Sequence, residues 1–203
     1  MNLKQIKNLP GARKAAMPEF VPPQLATLVD KPPVGDEWFH ELKLDGFRLL
    51  GHLNNGQVRF WTRNQNDWTA KFPALSKAVK ALKLKSAILD GEVVALDPSG
   101  RASFQRLQQS INKGGGGGLL YHVFDLIYID GYSLVKATLR DRKRVLAELL
   151  EPLGVAIHAV DLAKPRLLER VDVEAQQVVH DRVHAADLLD HPMGDRRRQK
   201  RRA

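Results

Sequence analysis

The chain has 203 residues, 43% of them hydrophobic, which suits one ordinary domain with appendages. It contains no cysteine, which excludes disulfides, thiolate catalysis and cysteine-ligated zinc, and suits a cytoplasmic protein. Thirty-two Lys and Arg against 23 Asp and Glu give a net charge of +9. Six basic and one acidic side chain between Asp195 and Ala203 supply +5 of it, so the remainder is only mildly basic, compatible with nucleic acid without establishing it. There is no apolar run of about 18 residues, so no membrane-spanning helix is expected. The basic stretch Met1 to Lys14 lacks the apolar core of a secretory signal.

Residues 1 to about 37 read as an arm, its first 19 basic and Pro-containing, broken at Pro10-Gly11, Pro18, Pro22-Pro23 and Pro32-Pro33. Phe20, Val21, Leu25 and Leu28 are placed to lie against a neighbouring sheet. Strands are then predicted over Trp38 to Leu44 and Phe47 to Leu53, separated by Asp45-Gly46. Asn55-Gly56 is a strong hairpin signal, with Gln57 to Thr62 returning. Lys71 to Leu82 carries Phe72, Leu75, Val79 and Leu82 on one helical stripe. Ala87 to Leu96 is a buried strand interrupted by Asp90-Gly91-Glu92, whose carboxylates need a cation or several donors.

Ser103 is placed to cap a short helix bearing Phe104, Leu107 and Ile111. Gly114 to Gly118 is a loop without the Lys-Ser/Thr pair of a phosphate-binding P-loop. Leu119 to Ile129 is another buried strand, turned by Asp130-Gly131. Thr138 to Glu151 is the clearest helix, opened by Thr138-x-x-Asp141 and striped by Val145, Leu146, Leu149 and Leu150. After Gly154 the texture changes. Val178, Val179, Val183, Ala186 and Leu189 have the spacing of one amphipathic helix, and the closing Arg/Lys run is expected to be disordered. His180 and His184, four apart with Asp187 and His191 beyond, have a spacing that binds metals, but two histidines are a weak signal and no metal ligand is assigned. The expected organisation is an arm at 1–19, a domain at 20–153 and a divergent tail at 154–203.

Lys43, held among Leu42 and Leu44 with Arg48 five residues on, has the setting of a nucleophilic amine. Alone it reads more readily as a salt-bridged strand-end lysine, just as Phe124 alone reads as core and Asp45-Gly46 as a simple turn. Taken together, Lys43, Arg48, Arg63, Asp90-Gly91-Glu92 and Phe124 are parts for holding a purine nucleotide: an amine, cations, an acidic pair and a ring.

The motifs Glu41-x-Lys43-x-Asp45-Gly46-x-Arg48, Thr62-Arg63-Asn64, Leu89-Asp90-Gly91-Glu92 and Val123-Phe124-Asp125-Leu126-Ile127-Tyr128 resemble the ATP-dependent DNA ligases in order and approximate spacing. Phe20 to Leu28 and Asp67-Trp68-Thr69-Ala70-Lys71-Phe72-Pro73 look like the ligase module of the bacterial end-joining DNA ligases, and the resemblance runs from about 17 to about 153. It implies an α+β nucleotidyltransferase (ATP-grasp-like) domain of antiparallel sheets flanked by helices. It implies Lys43 as the lysine that takes AMP from ATP, with Asp45 assisting the later transfers. Arg48 and Arg63 fall at ribose or phosphate positions, Glu92 on the ribose side, Phe124 against adenine and Glu41 beside the adenine amine. The implied cofactors are ATP and Mg²⁺ or Mn²⁺; the implied partners are nicked or broken double-stranded DNA and, by family analogy, end-joining proteins. The family's later Glu-Gly-then-lysine motif, second lysine pair and OB-fold domain are not found: after Gly154 the lysines are Lys164 and Lys200. A truncated ligase with impaired or no sealing is therefore expected. Two other readings stay open, an RNA ligase or capping-type nucleotidyltransferase using the same lysine, and an inactive relic or DNA-binding module.

Overall fold

The computed structural model describes residues 3–25, 30–31, 39–41, 44–114, 118–150, 157–159 and 179–180. Its strands are β1 (Arg13–Lys14), β2 (His40–Glu41), β3 (Phe47–Asn54), β4 (Gln57–Thr62), β5 (Ser86–Ala95), β6 (Leu119–Ile129), β7 (Tyr132–Ser133), β8 (Ile157–Ala159) and β9 (Val179–His180). Its helices are α1 (Leu3–Lys7), α2 (Pro73–Lys80), α3 (Phe104–Asn112) and α4 (Leu139–Leu150). Six strands form an antiparallel sheet in the order β1-β7-β6-β5-β3-β4, with β8 added parallel to β6. β2 stands apart and pairs with β9.

Local chemistry explains the strand connections. Asn55 and Gly56 have φ of 48° and 78°, the left-handed pair that a two-residue hairpin turn requires, and Asn54 faces Gln57. Asp130 and Gly131, at 42° and 91°, turn β6 into β7 in the same way. Ser103 accepts from Arg106 N and caps α3, while Thr138 Oγ1 accepts from Asp141 N at 3.2 Å and caps α4, as the sequence predicts. The predicted helix over 71–82 begins two residues later. Pro73 occupies its first turn, where the missing N–H costs nothing, and Lys71 closes a preceding 3-10 turn.

The sheet has two different faces. Leu49 and Leu53 of β3, Leu89 and Val93 of β5, and Tyr121, Val123 and Leu126 of β6 belong to the main core. Leu75 and Val79 of α2, Leu107 of α3 and Val145, Leu146 and Leu149 of α4 cover them. With a period of two, Leu50 and Ile88 alternate onto the other face, where they meet Tyr128, Met17, Phe20 and Val21. The segment after β1 is strapped there: Ala15 N donates to Gly131 O and the Tyr128 hydroxyl to Ala15 O, at 3.0 and 2.9 Å. Of the four apolar residues expected on a sheet, Phe20 and Val21 pack there, Leu25 is exposed and Leu28 lies outside the described residues.

Three expectations are corrected. The strand predicted over Trp38 to Leu44 is described only at His40–Glu41 and does not join the main sheet. β3 already has β4 on one edge and β5 on the other, so it offers no edge to the residues before it. The segment expected as an arm contributes to the core, because Ile6 of α1 and Leu9 just beyond it are buried in it. Within the helix expected over 178–189, Val179–His180 is a strand, and residues 181–189 lie outside the described residues.

The Tyr121 hydroxyl ties three strands together. It accepts from Gly51 N at 3.1 Å, and its proton faces the carbonyls of Leu49 (2.8 Å) and Leu89 (3.1 Å). Burial, reinforced by the charge of Asp90, pushes its pKa well above the usual tyrosine range, so it remains a donor. Gly91 follows from the same packing: a Cβ there would lie 2.7 Å from the Tyr121 ring and 2.5 Å from His122 O.

His52, 7% exposed between Arg59 and Ile88, has no hydrogen-bond partner for Nε2 among the described residues. Burial lowers its pKa from 6.5 to about 4. The folded state therefore binds fewer protons than the unfolded chain between those values. Stability from His52 is fully present above pH 6.5 and is lost as pH falls toward 4. Urea unfolding at pH 7 and pH 4.5 should show wild type losing on the order of 2–3 kcal/mol more than His52→Gln; equal losses would contradict it.

Candidate active site

The polar part of the second face lies beside the apolar patch. Arg48 precedes Leu50 by two residues on β3, and Asp90 and Glu92 follow Ile88 by two and four on β5. Arg48 and Glu92 are Cα partners across the sheet. The guanidinium of Arg48 makes a fork on Asp90, Nε to Oδ1 at 3.0 Å and Nη2 to Oδ2 at 2.8 Å, and donates from Nη1 to Gln24 O at 2.8 Å. Burial raises the Asp90 pKa, the Arg48 fork opposes that, and the charges of Asp125 and Glu41 add to the rise. The carboxylate keeps its place through Arg48.

β6 carries two more residues than its partner needs. Asp90 pairs with Asp125 but Gly91 with Val123, so Phe124 is the extra residue of a bulge, and Ile127 that of a second. A bulge re-aims a side chain and frees backbone groups from the ladder. The half-buried Phe124 ring lies under Arg48, whose guanidinium carbon is 5.1 Å from its centroid. The Phe124 carbonyl accepts from Lys143 Nζ of α4 at 2.8 Å. The same ammonium makes an ion pair with Glu41 Oε1, both side chains being largely buried. Next to it on α4, Arg142 forks onto Asp125 at 2.7 and 2.8 Å and donates to Ala137 O.

The loop before β3 is anchored from β5. Gly46 N donates to Glu92 Oε1 at 3.0 Å. The sequence reads Asp45-Gly46 as a turn, yet Gly46 is not among the residues with positive φ. Close approach requires glycine here, since a Cβ would lie 2.2 Å from Val93 O. Asp45 is exposed on this loop.

The structure thus brings Glu41, Arg48, Glu92 and Phe124 to one end of the sheet. Arg63 is exposed in the turn after β4; Thr62 faces Leu49, which puts Arg63 at the same end as Arg48. Lys43 lies outside the described residues, in the segment bracketed by Glu41 and Gly46. His184, Asp187 and His191 also lie outside them, and among the described residues no group of three or more His, Asp or Glu is placed to hold a metal. Sequence reasoning missed Lys143 and Arg142, whose reach to residues 102 and 17 positions away leaves no local pattern. Asp90 was seen only as a buried charge in need of a partner, and its partner proves to be Arg48.

The solved ligase domain from M. tuberculosis LigD superposes with a TM-score of 0.54 at 31% identity, over 66% of this chain and 45% of that one. A mycobacterial DNA ligase D complexed with ATP and MES superposes at 0.52 and 30% identity, over the same shares. The fold is accordingly that of a ligase nucleotidyltransferase domain, the class expected from the sequence. Residues 23–194 match the model of the ATP dependent DNA ligase domain, and the chain belongs to that family. The multifunctional non-homologous end joining protein LigD of Pseudomonas aeruginosa is 48% identical over 138 residues, 68% of this chain, which spans 16% of that relative's length.

Arg48 is tested by stability. Truncation strands the buried Asp90 carboxylate, so Arg48→Ala should lower the unfolding free energy by about 3–5 kcal/mol, whereas the exposed Arg63→Ala should stay within about 0.5 kcal/mol. Chemical denaturation near pH 7 measures both, and Arg48→Ala/Asp90→Asn should recover a large part of the loss.

Proposed function

We propose that this chain carries out the adenylyl-transfer step of an ATP-dependent DNA ligase, with Lys43 as the nucleophile. The observation that carries this reading is the gathering of Glu41, Arg48, Glu92 and Phe124 at one end of the sheet, around the segment that bears Lys43. The Lys43 amine attacks the α-phosphorus of ATP, a P–N bond forms, pyrophosphate leaves and the amine gives up its proton. A lysine with an ordinary pKa of about 10.4 is protonated at neutral pH, so desolvation or nearby cations must free its lone pair. In this reading Phe124 stacks on the base, Glu92 serves the ribose, Glu41 lies beside the purine amine and Asp45 assists the later transfers. Arg63 meets ribose or phosphate. Arg48 acts near the sugar while committed to Asp90, which fixes its guanidinium against Phe124.

Magnesium accompanies the triphosphate in this reading. The described residues form no cluster of carboxylates and histidines able to hold the ion by themselves, and such ions are commonly held by one or two carboxylates together with substrate phosphates. No step is assigned to protein-bound metal. The substrate for the transferred AMP is the 5′-phosphate at a nick or break in duplex DNA, in a bacterial end-joining setting like that named for LigD. Residues 20–153 act as the adenylation unit, in the cytoplasm; among the described residues no helix is long and apolar enough to cross a membrane.

The 203 residues by themselves are proposed to adenylate and not to seal. After Gly154 the lysines are Lys164 and Lys200, and neither follows a Glu-Gly pair. Loss of one charge-stabilising donor often costs about 100- to 1000-fold in rate. Incubation with α-labelled ATP and magnesium should leave an acid-labile adduct on the protein that Lys43→Ala lacks. The same protein should leave a nicked duplex unsealed. Absence of the adduct in wild type would overturn the adenylation reading, and efficient sealing would overturn the division between the two steps.

A further inference from the structure

We infer that Lys143 sets the spacing between the nucleophile segment and the purine-stacking ring, and so determines how tightly and how selectively the purine is held. This rests on the adenylation reading above and adds a residue to it. The bulge in β6 frees the Phe124 carbonyl from the ladder, since Asp90 pairs with Asp125 and Gly91 with Val123. Lys143 Nζ fills that acceptor at 2.8 Å and takes Glu41 Oε1 as its second partner. One ammonium therefore joins the residue two positions before Lys43 to the residue whose ring faces the site. β2 has no ladder bond to the six-stranded sheet, pairing instead with β9, so this contact couples Glu41 to β6 across the gap between two sheets.

The other end of the segment is held independently, by Gly46 N on Glu92. Lys143 thus governs the base side of the slot, while the Gly46 end stays anchored without it. Its neighbour Arg142 grips the next bulge residue, Asp125, so that α4 holds the bulge at two consecutive positions. Truncating Lys143 removes one ammonium and two hydrogen bonds but leaves Arg142 and the apolar stripe of α4 to keep the helix docked. Lys143 acts through the Glu41 carboxylate and the Phe124 carbonyl, and is assigned as a positioning residue.

The test compares wild type, Lys143→Met, Lys143→Arg and, as a surface control on the same helix, Arg144→Met, whose partners Glu148 and Asp141 lie on the exposed side. Formation of the lysyl-nucleotide adduct, lysyl-AMP from ATP and lysyl-IMP from ITP, which differ at the purine 6-position, is followed, and equilibrium binding of both nucleotides is measured alongside. Loss of a charge-assisted hydrogen bond corresponds to about a 10-fold change or more in an equilibrium constant. In single-turnover adduct formation Lys143→Met should raise the half-saturating ATP concentration by about that factor, change the limiting rate constant less, and narrow the preference for ATP over ITP; Lys143→Arg should restore much of both, and Arg144→Met should match wild type. An unchanged half-saturating concentration and ATP-to-ITP preference in folded Lys143→Met would overturn the inference, as would a fall in the limiting rate constant alone. If Lys143→Met does not fold, the binding preference of Lys143→Gln, which keeps a hydrogen-bond donor but removes the ion pair with Glu41, decides in the same sense. If wild type forms no adduct, the adenylation reading fails by itself, and the two binding constants still judge whether Lys143 controls purine selectivity.

Discussion

Two buried carboxylates face each other across the middle of the sheet. Asp90 of β5 and Asp125 of β6 are Cα partners, both nearly inaccessible, and burial together with the charge of Asp125 raises the cost of ionising Asp90. Such a pair is tolerated only with a cation on each member, and the fold brings them from opposite sides. Arg48 comes from β3 on one flank and Arg142 from α4 on the other, each making a two-pronged bond. Much of the geometry of the site follows. The fork on Asp90 holds the Arg48 guanidinium over Phe124, and the fork on Asp125 docks the part of α4 from which Lys143 reaches Glu41.

The apolar architecture holds that polar strip at a fixed position. The Tyr121 hydroxyl gathers β3 and β5 onto β6, and Gly51 and Gly91 leave room for its ring: Cβ atoms there would lie 3.2 Å and 2.7 Å from Tyr121. Helices close over that side and seal it. On the opposite side the segment from Ala15 to Val21 covers Leu50, Ile88 and Tyr128, then continues to Gln24, whose carbonyl meets Arg48. The N-terminal segment is therefore part of the wall of the site as well as part of the core.

Much of this was legible in the chain itself. The spans of β4 and β6, the hairpin at Asn55-Gly56, the caps at Ser103 and Thr138 and the stripe on α4 follow from turn chemistry and periodicity, which act over a few residues. The motif order around Lys43 pointed to the family, and the matched domain and the shared fold agree. Asp90 announced itself as a buried charge in need of a partner, but nothing local identified which arginine would answer it.

The sequence by itself determined the strands, the turns, the cap residues and the set of side chains available for nucleotide chemistry, because each depends on neighbours within a turn or a pleat. Only the tertiary structure decided which of them meet. Arg48 turns to Asp90, Glu92 holds Gly46, and Lys143 joins Glu41 to a bulge across 102 residues of chain. It also decided that β2 stays off the main sheet, since both edges of β3 were already taken, and that Ile6 and Leu9 complete the core. Those outcomes depend on edge availability, on bulges that free a carbonyl, and on the cost of leaving a buried charge unpaired. Each is a property of the assembled sheet and of no single stretch of sequence.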